Sequence, residues 1–468
     1  MSILSTVKGW VTMLLKKKAK EEFNIVPIGS AQMEEWVQEC IRIYQGNPSW
    51  ISEDDHIDTV NFAKSVCSEV ARLAMLATSI TVDGSARAEW LQERINEMYF
   101  QLREWIEYGC AYGTIILKPD GQTVRMYTPG EFEVTDSEKG KITGIVFHNW
   151  EKEGDKWYTL LEYHRFDGEQ YAITNKCYLG DYPDDTKKQV DIALSPWSNL
   201  AEEVYINNVD RMLFGVFRTP QANNIDLASP CGLPIFSEAV QELRDLDIAY
   251  SRNAEEIFDS SRTVLLDSDA MLSGGGKKVV NSAAALEHRR ENMKLPRVVK
   301  NIQGDGKELF YQEINPQLNT EMRLKGLNAL LNQIGYKSGF SNGHFVFNES
   351  GGIQTATQVE ADQQRTIQMV KDVRDRTENC TDGVIYALDV FADLYGYAPS
   401  GDYEIVYDFG DITYNREEDR ARWWGYVQAG KVPAWMFFVK FEGMSEEDAK
   451  AMVEEAAPKQ PTLFGREE

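Results

Sequence analysis

Residues 355–395 carry one unbroken helical pattern, and no other feature narrows the possible folds as much. Val359, Ile367, Val370, Val373, Val384, Leu388 and Phe391 run down one face. Thr357 and Glu360 have capping-box spacing near its start. Forty-one helical residues at ~1.5 Å each span about 60 Å, more than an ordinary globular domain requires. Gly383 is the expected position of a kink. The chain must therefore either fold around a single long rod or shorten it by bending.

The rest of the chain changes texture several times. Residues 31–112 read as helical, with Met33, Trp36, Val37, Cys40 and Ile41 as one stripe and Leu91, Ile95, Met98, Leu102, Trp105 and Ile106 as another. From 113 to 178 polar residues alternate with aromatic and β-branched ones. Strands are expected at 114–117, 124–127, 132–134, 142–150, 157–165 and 170–178, separated by turns at Asp120-Gly121, Lys139-Gly140, Gly154-Asp155 and Asp167-Gly168. That is an antiparallel meander and gives an α+β fold class, not a βαβ array.

Residues 232–262 form a helix with Pro234 near its start. It holds seven acids (Glu238, Glu242, Asp245, Asp247, Glu255, Glu256 and Asp259) against Arg244, Arg252 and Arg262, which predicts a negative outer face. Residues 263–313 are a mixed insert with strands at 263–266, 298–302 and 308–313 and a helix at 281–293. The basic run Arg289, Arg290, Lys294, Arg297 and Lys300 falls inside it. A second helix follows at 315–336, then a loop at 338–352 rich in Gly, Ser and Asn that also carries Phe340, Phe345 and Phe347. After the long helix come a strand at 403–409 and two helices, one capped by Asn415 with Glu418 and one by Ser445 with Asp448.

Composition excludes several function classes. Of 468 residues, 49 are Lys or Arg and 74 are Asp or Glu, a formal net charge of −25. A conventional nucleic-acid binder draws its affinity from a cationic surface, so this chain is not one; DNA merely passing through it is a separate matter. The six cysteines (Cys40, Cys67, Cys110, Cys177, Cys231 and Cys380) are widely spaced and read as reduced, mostly buried side chains of an intracellular protein. The apolar start at 3–15 precedes Lys16, Lys17, Lys18 and Lys20, the reverse of a signal peptide, and reads as an amphipathic arm. No run reaches the ~18 apolar residues of a membrane span.

Chemistry is sparse. His56, His148, His164, His288 and His344 show no metal-ligand spacing. Gly274-Gly275-Gly276-Lys277-Lys278 lacks the first glycine and the hydroxyl residue of a phosphate loop. No nucleophile elbow is present, and pairs such as Asp184-Asp185 or Asp267 with Asp269 are explained by turns and by the sheer number of acids. No catalytic residue, metal or cofactor is expected. Two long helices flanking a small insert make a stalk with a tip, which buries its apolar stripes best by packing side by side in a ring.

The stretches Tyr127-Thr-Pro-Gly-Glu-Phe-Glu-Val134, Gly144-Ile-Val-Phe147, Gly232-Leu-Pro-Ile-Phe-Ser-Glu238, Ile314-Asn-Pro-Gln317, Gly339-Phe-Ser341 and Thr355-Ala-Thr-Gln-Val-Glu360, in this order, resemble the portal proteins of tailed bacteriophages. The resemblance covers most of the chain through Ala456. It implies a portal fold with a wing (1–233), a stem helix (234–262), a clip (263–313), a second stem helix (314–337), a tunnel loop (338–354), a long wing helix and strand (355–413), and a crown and C-terminal tail (414–468).

The resemblance further implies a closed homo-oligomeric ring of about twelve subunits at one capsid vertex of the virion, assembled in the host cytoplasm. The ring would pass double-stranded DNA without sequence specificity during packaging and ejection. It would dock the terminase and a head-completion or tail adaptor, and nucleate procapsid assembly with the major capsid and scaffolding proteins. It is no enzyme and contacts no membrane. Glu238, Glu242, Asp245, Glu255, Glu256 and Asp259 become candidates for an acidic bore that repels phosphate, or else for a solvated outer face. Asn342, His344, Phe345, Phe347 and Asn348 become DNA-facing loop residues or parts of a connector. Arg289, Arg290, Lys294, Arg297 and Lys300 become a partner-binding patch, a DNA contact at the channel mouth or a solvated charge run. Another virion structural protein, of capsid or tail, and a carboxylate-based hydrolase are the alternative readings.

Overall fold

The structure is a computed structural model that describes residues 20, 22–51, 56–168, 170–183, 185–186, 188–259, 263–267, 298–302, 311–314, 320–346, 356–410, 416–442 and 444–456. It is an α+β chain. Helix α1 (Ala31–Tyr44) is capped by Ser30, whose hydroxyl accepts from the Met33 N–H. Helices α2 (Phe62–Ala74) and α3 (Ala86–Tyr112) follow, with strand β1 (Thr78–Asp83) between them. The helical reading of 31–112 missed this strand. Its Ser79-Ile80-Thr81-Val82 alternation was the available signal, hidden by the helical stripes on either side.

Strands β2 (Thr114–Asp120), β3 (Thr123–Tyr127), β4 (Phe132–Glu138), β5 (Lys141–Glu153), β6 (Lys156–Phe166) and β7 (Gln170–Gly180) lie where the alternation placed them. They do not form one meander. The sheet breaks at the Thr128–Glu131 turn, where the Glu131 carboxylate accepts from both the N–H and the hydroxyl of Thr128. β2 and β3 join β10 (Gly215–Arg218) in the order β10-β2-β3. The six-stranded sheet runs β4-β5-β6-β7-β8, with β8 (Lys188–Val190) and β9 (Glu203–Asn207) both pairing with β7. β8, β9 and β10 are too short to show a period in the sequence.

Helix α4 (Val240–Asp259) leads into β11 (Thr263–Asp267), β12 (Val298–Ile302) and β13 (Tyr311–Ile314), a three-stranded sheet with β11 central, parallel to β12 and antiparallel to β13. Helix α5 (Thr320–Lys337), the long helix α6 (Ala356–Tyr395) and β14 (Glu404–Phe409) follow. α6 starts at Ala356, so Thr357 lies inside its first turn. The chain divides into two compact units, one through Asp408 and one from Phe409. The second holds α7 (Arg416–Gln428), α8 (Ala434–Glu442), which sequence reading missed, and α9 (Glu446–Ala456), capped as expected by Ser445, whose hydroxyl accepts from the Asp448 N–H. Residues 3–15 and the expected helix at 281–293 lie outside the described residues.

α6 runs through Gly383 as one helix. That glycine serves close packing: a methyl on it would sit 3.0 Å from Gly215 Cα and from the Phe214 carbonyl oxygen. The reciprocal position is tighter. A methyl on Gly215 would collide with the Cys380 carbonyl oxygen and lie 2.9 Å from Val384 Cγ2. Two residues along the same face of β10, a methyl on Gly109 of α3 would run into the Phe217 ring. One face of β10 thus takes close contacts from both α3 and α6. The main core, with Ile116, Tyr127, Phe147, Tyr171, Phe214 and Ala387 at its centre, fills the space between the two sheets and α6. On the opposite face of the six-stranded sheet, Phe23 and Ile25 cover Val146, Leu161, Tyr163 and Tyr178.

Two buried arginines pin α6. Arg374 donates from Nε to the Ala74 carbonyl at 2.9 Å and from Nη2 to those of Leu73 and Leu76, adding charged donors at the end of α2 and just beyond it. Arg87, only 1% exposed at the start of α3, donates to Asp389 (backbone O at 2.8 Å, Oδ1 at 2.5 Å), Asp393, and the carbonyls of Ala398 and Pro399. All six cysteines are free, five buried and Cys231 partly so.

The glycine contact predicts an asymmetry measurable by chemical denaturation. Gly383→Ala regains roughly 1 kcal/mol of helix propensity and needs only a small shift, so its net effect is expected to be within about 1 kcal/mol. Gly215→Ala forces strand and helix apart and is expected to cost about 2–3 kcal/mol or more.

Candidate functional site

Of the residues singled out by sequence, the acids and the described loop residues lie on α4, the turn before it and the segment that follows α5. α4 grows out of a 3-10 turn at Ser237–Ala239 and buries Leu243 and Leu246. α5 buries Leu331 and Ile334. The two helices pack antiparallel and are clamped twice. Near one end the Lys337 ammonium donates to Glu242 Oε1 at 2.6 Å, with Gln333 Nε2 donating to the same oxygen at 3.2 Å. Near the other end Arg323 pairs with Glu256. Fourteen residues separate the two clamps on each helix, ~21 Å of rise on both, so the pairs stay in register only if the helices run side by side.

The six candidate acids therefore part company. Glu242 is buried and Glu256 half-buried, both engaged with α5. Glu238, Asp245 and Glu255 are exposed. Asp259 lies at the end of α4 and is placed by its backbone alone. Arg244 and Arg252 are exposed as well, so among the described side chains α4 shows two exposed acids, Asp245 and Glu255, against two bases, with Glu238 in the turn before it, an imbalance smaller than the sequence count suggests. The reason is physical: acids on a packed helix are partly consumed in holding its neighbours.

Asp247, absent from the candidates, shows the same use. It is 3% exposed and accepts from Trp50 Nε1–H and the Val60 N–H, both at 2.9 Å, tying the segment before α2 to α4. Burial raises its carboxyl above the ordinary value, against the pull of those donors. Its spacing of four from Leu243 was the signal that it lies on the apolar side.

The described start of the predicted loop, 338–346, is folded onto its surroundings. Gly339 takes φ +94° to end α5. Phe340 is fully buried, and Phe345 packs against Phe340, His344 and Phe62 with ring centroids 4.7–5.2 Å apart. His344 Nε2 lies 3.3 Å from Glu69 Oε1. Arg72, with His344 assisting, holds the Glu69 carboxyl below the ordinary carboxylate range. The Ser341 N–H donates to Thr366 Oγ1, and the Gly343 N–H to Asn332 Oδ1. Asn342 is exposed, and with Glu238, Tyr336, Lys337 and Arg365 it lines an open cavity of about 830 Å³, where a stem candidate and a loop candidate share a wall. Phe347, Asn348, Arg289, Arg290, Lys294 and Arg297 lie outside the described residues, and Lys300 is placed in β12 by its backbone alone.

A second concentration of titratable groups lies between the sheets. Lys118 Nζ donates to both Glu162 oxygens at 2.7–2.8 Å, and His164 Nε2 lies 2.7 Å from Glu162 Oε1 while its Nδ1 lies 2.6 Å from the Tyr171 hydroxyl. Asn149 completes the ring, donating to Glu162 and accepting from Tyr127. Lys118, His164 and Tyr171 are all at most 6% exposed, and each of these polar groups already has its partner, so the cluster works as a polar keystone of the core. Burial works against the Glu162 charge, but Lys118 and His164 outweigh it and hold the carboxyl well below its usual range. Burial also lowers His164, so the ring is neutral, Nε2–H donating to Glu162 and Nδ1 accepting from Tyr171. Among the described residues no group of three or more His, Cys, Asp or Glu could hold a metal ion, and no helix is long and apolar enough to cross a membrane.

The cluster makes the fold acid-labile. A lowered carboxylate contributes stability above its unfolded value of 4.5 that is lost as pH falls toward its folded value. A lowered histidine makes the unfolded state the better proton acceptor below 6.5. Stability is therefore expected to fall on acidification from pH 6.5 and more steeply below 4.5, measured as denaturation midpoints across pH. Glu162→Gln, which strands the Lys118 charge, is expected to cost about 3–5 kcal/mol at neutral pH, and adding Lys118→Met is expected to restore much of it.

Scans against protein-family models and against curated protein sequences return no match, so no family membership is assigned.

Proposed function

We propose that this chain is the subunit of a phage portal: a ring at one capsid vertex that serves as a passive channel for DNA, docks the packaging motor and head-completion adaptors, and seeds procapsid assembly. The observation that carries the proposal is the clamped antiparallel pair α4–α5, with the β11–β13 sheet inserted between the end of one helix and the start of the other. Such a pair is a stalk with a small sheet as its tip. Its remaining apolar surface, including Met322 at 75% exposed and Tyr250 at 49%, is suited to burial against a second copy. The order of elements supports the same reading: helices and sheets before the stalk, then the loop, one 40-residue helix, a strand and a small helical unit.

In this role Glu238, Asp245 and Glu255 supply the anionic lining. Carboxylates repel phosphate, so the duplex slides instead of sticking, the inverse of the cationic surface that retains DNA. Glu242 and Glu256 keep the stalk rigid. The residues after α5 line the narrowest part of the bore, and the insert meets motor and adaptor. The chain itself performs no chemistry.

Light scattering on the purified protein, with negative-stain images of the same peak, tests the proposal. A ring of about twelve copies, near 640 kDa, with an axial hole is expected. Tubes or closed shells without a channel, or a monomer that hydrolyses a substrate, would overturn it. In the ring, Glu238→Lys, Asp245→Lys and Glu255→Lys together are expected to convert weak interaction with duplex DNA into retention that falls steeply with added salt. Unchanged DNA behaviour would place those residues on an outer face.

A further inference from the structure

The open cavity between the end of α5, the first half of α6 and the segment after β10 is short of hydrogen-bond donors. Gln221 and Ser338 both line it. Each buries an oxygen, Gln221 Oε1 and Ser338 Oγ, that has no hydrogen-bond partner among the described residues, and Ser338 is wholly buried. Asp372, half-buried on α6, adds a carboxylate to the same wall. The cations of the cavity are already committed. Lys337 Nζ donates to Glu242, and Arg365 donates from Nη2 to the Tyr336 carbonyl at 2.9 Å with its guanidinium 3.9 Å over the Tyr336 ring. Buried acceptors without a donor are costly, so the group that completes this site is rich in donors. A guanidinium meets that need, with five N–H donors in a planar fork and no acceptor of its own.

Arg244 is a guanidinium without an occupation. It is exposed, with no hydrogen-bond or ion-pair partner among the described residues. It follows Glu242, which faces α5 through Lys337, by two residues. Two residues of α-helix amount to ~3 Å of rise and roughly 200° of turn. Arg244 therefore stands at the level of the cavity but points away from α5, on the opposite flank of the stalk. Arg252, the other exposed arginine of α4, stands eight residues further on, ~12 Å beyond that level. A ring generated by rotation about one axis brings opposite flanks of successive copies together, and it keeps each residue at its own height where the stalk runs along that axis.

We infer that Arg244 of one copy enters the cavity of the next, where its guanidinium donates to Gln221 Oε1 and Ser338 Oγ and faces Asp372. The contact is head-to-tail: each copy gives an arginine on one flank and offers a socket on the other, which a closed ring requires of every subunit. The inference rests on the ring proposed above and adds to it the residue that sets the register between neighbouring stalks.

The test uses the full-length protein. With Arg244→Cys and Asn342→Cys in one chain, a short bis-maleimide is expected to join neighbouring copies into a ladder of covalent multimers on a denaturing gel, a gain that neither single variant shows. Asn342 is exposed on the cavity wall, so its replacement leaves the buried oxygens in place. Independently, light scattering over a dilution series is expected to show Arg244→Ala rings dissociating at a subunit concentration at least tenfold above that of the unaltered chain. Arg244→Lys, which keeps the charge and loses the fork, is expected to fall in between. Rings that neither cross-link nor respond to Arg244→Ala would overturn the socket and leave the ring standing. An unaltered chain that forms no ring would overturn both.

Discussion

The contact between Gly215 and Gly383 sets the geometry of the first unit. Two backbones can approach this closely only where neither carries a side chain, and here a strand and a 40-residue helix meet at such a point. Because β10 is hydrogen-bonded to β2, fixing β10 against α6 also fixes the three-stranded sheet. That sheet in turn supplies Ile116 and Tyr127 to the core shared with the six-stranded sheet. α6 is therefore the member against which the other elements are placed.

Charge is used in the same architectural way. Arg87 and Arg374 lie at opposite ends of the packed stretch of α6, each buried and each spent largely on backbone carbonyls. Planar guanidinium groups suit this task, since several fixed donors can satisfy carbonyls that end a helix or a turn. The Lys118–Glu162–His164 cluster performs the corresponding task between the sheets. A buried ion pair contributes little net stability, yet it penalises every packing in which one partner is left alone. These residues fix the register of the strands more than they strengthen the fold.

The stalk follows the same logic and connects it to the proposed role. A net charge of −25 looked from composition like a surface property. On α4, Glu242, Asp247 and Glu256 instead hold α5 and the segment before α2, leaving Glu238, Asp245 and Glu255 facing outward among the described side chains. A helix that must be both rigid and repellent to phosphate has to divide its acids in this way, and the proposed channel depends on the outward subset alone.

Periodicity in the sequence was sufficient for the long elements. α3, α5, α6 and strands β2 to β7 lie close to where their apolar spacing placed them, because a helix or strand that buries one face repeats that demand along its length, whereas α4 begins at Val240, eight residues after the expected start and beyond Pro234. The Ser445 cap was legible for a similar reason, since its hydrogen bond closes within three residues. What the sequence could not state was any contact whose partners lie far apart along the chain. The break of the meander into two sheets depends on β10 arriving some hundred residues after β2. Gly383 looked like a kink because its partner, Gly215, belongs to another element. Candidate acids could be named from the sequence, but which of them face outward was decided by Lys337 and Arg323 on α5. Local pattern records what each segment must bury; only the tertiary structure decides against what.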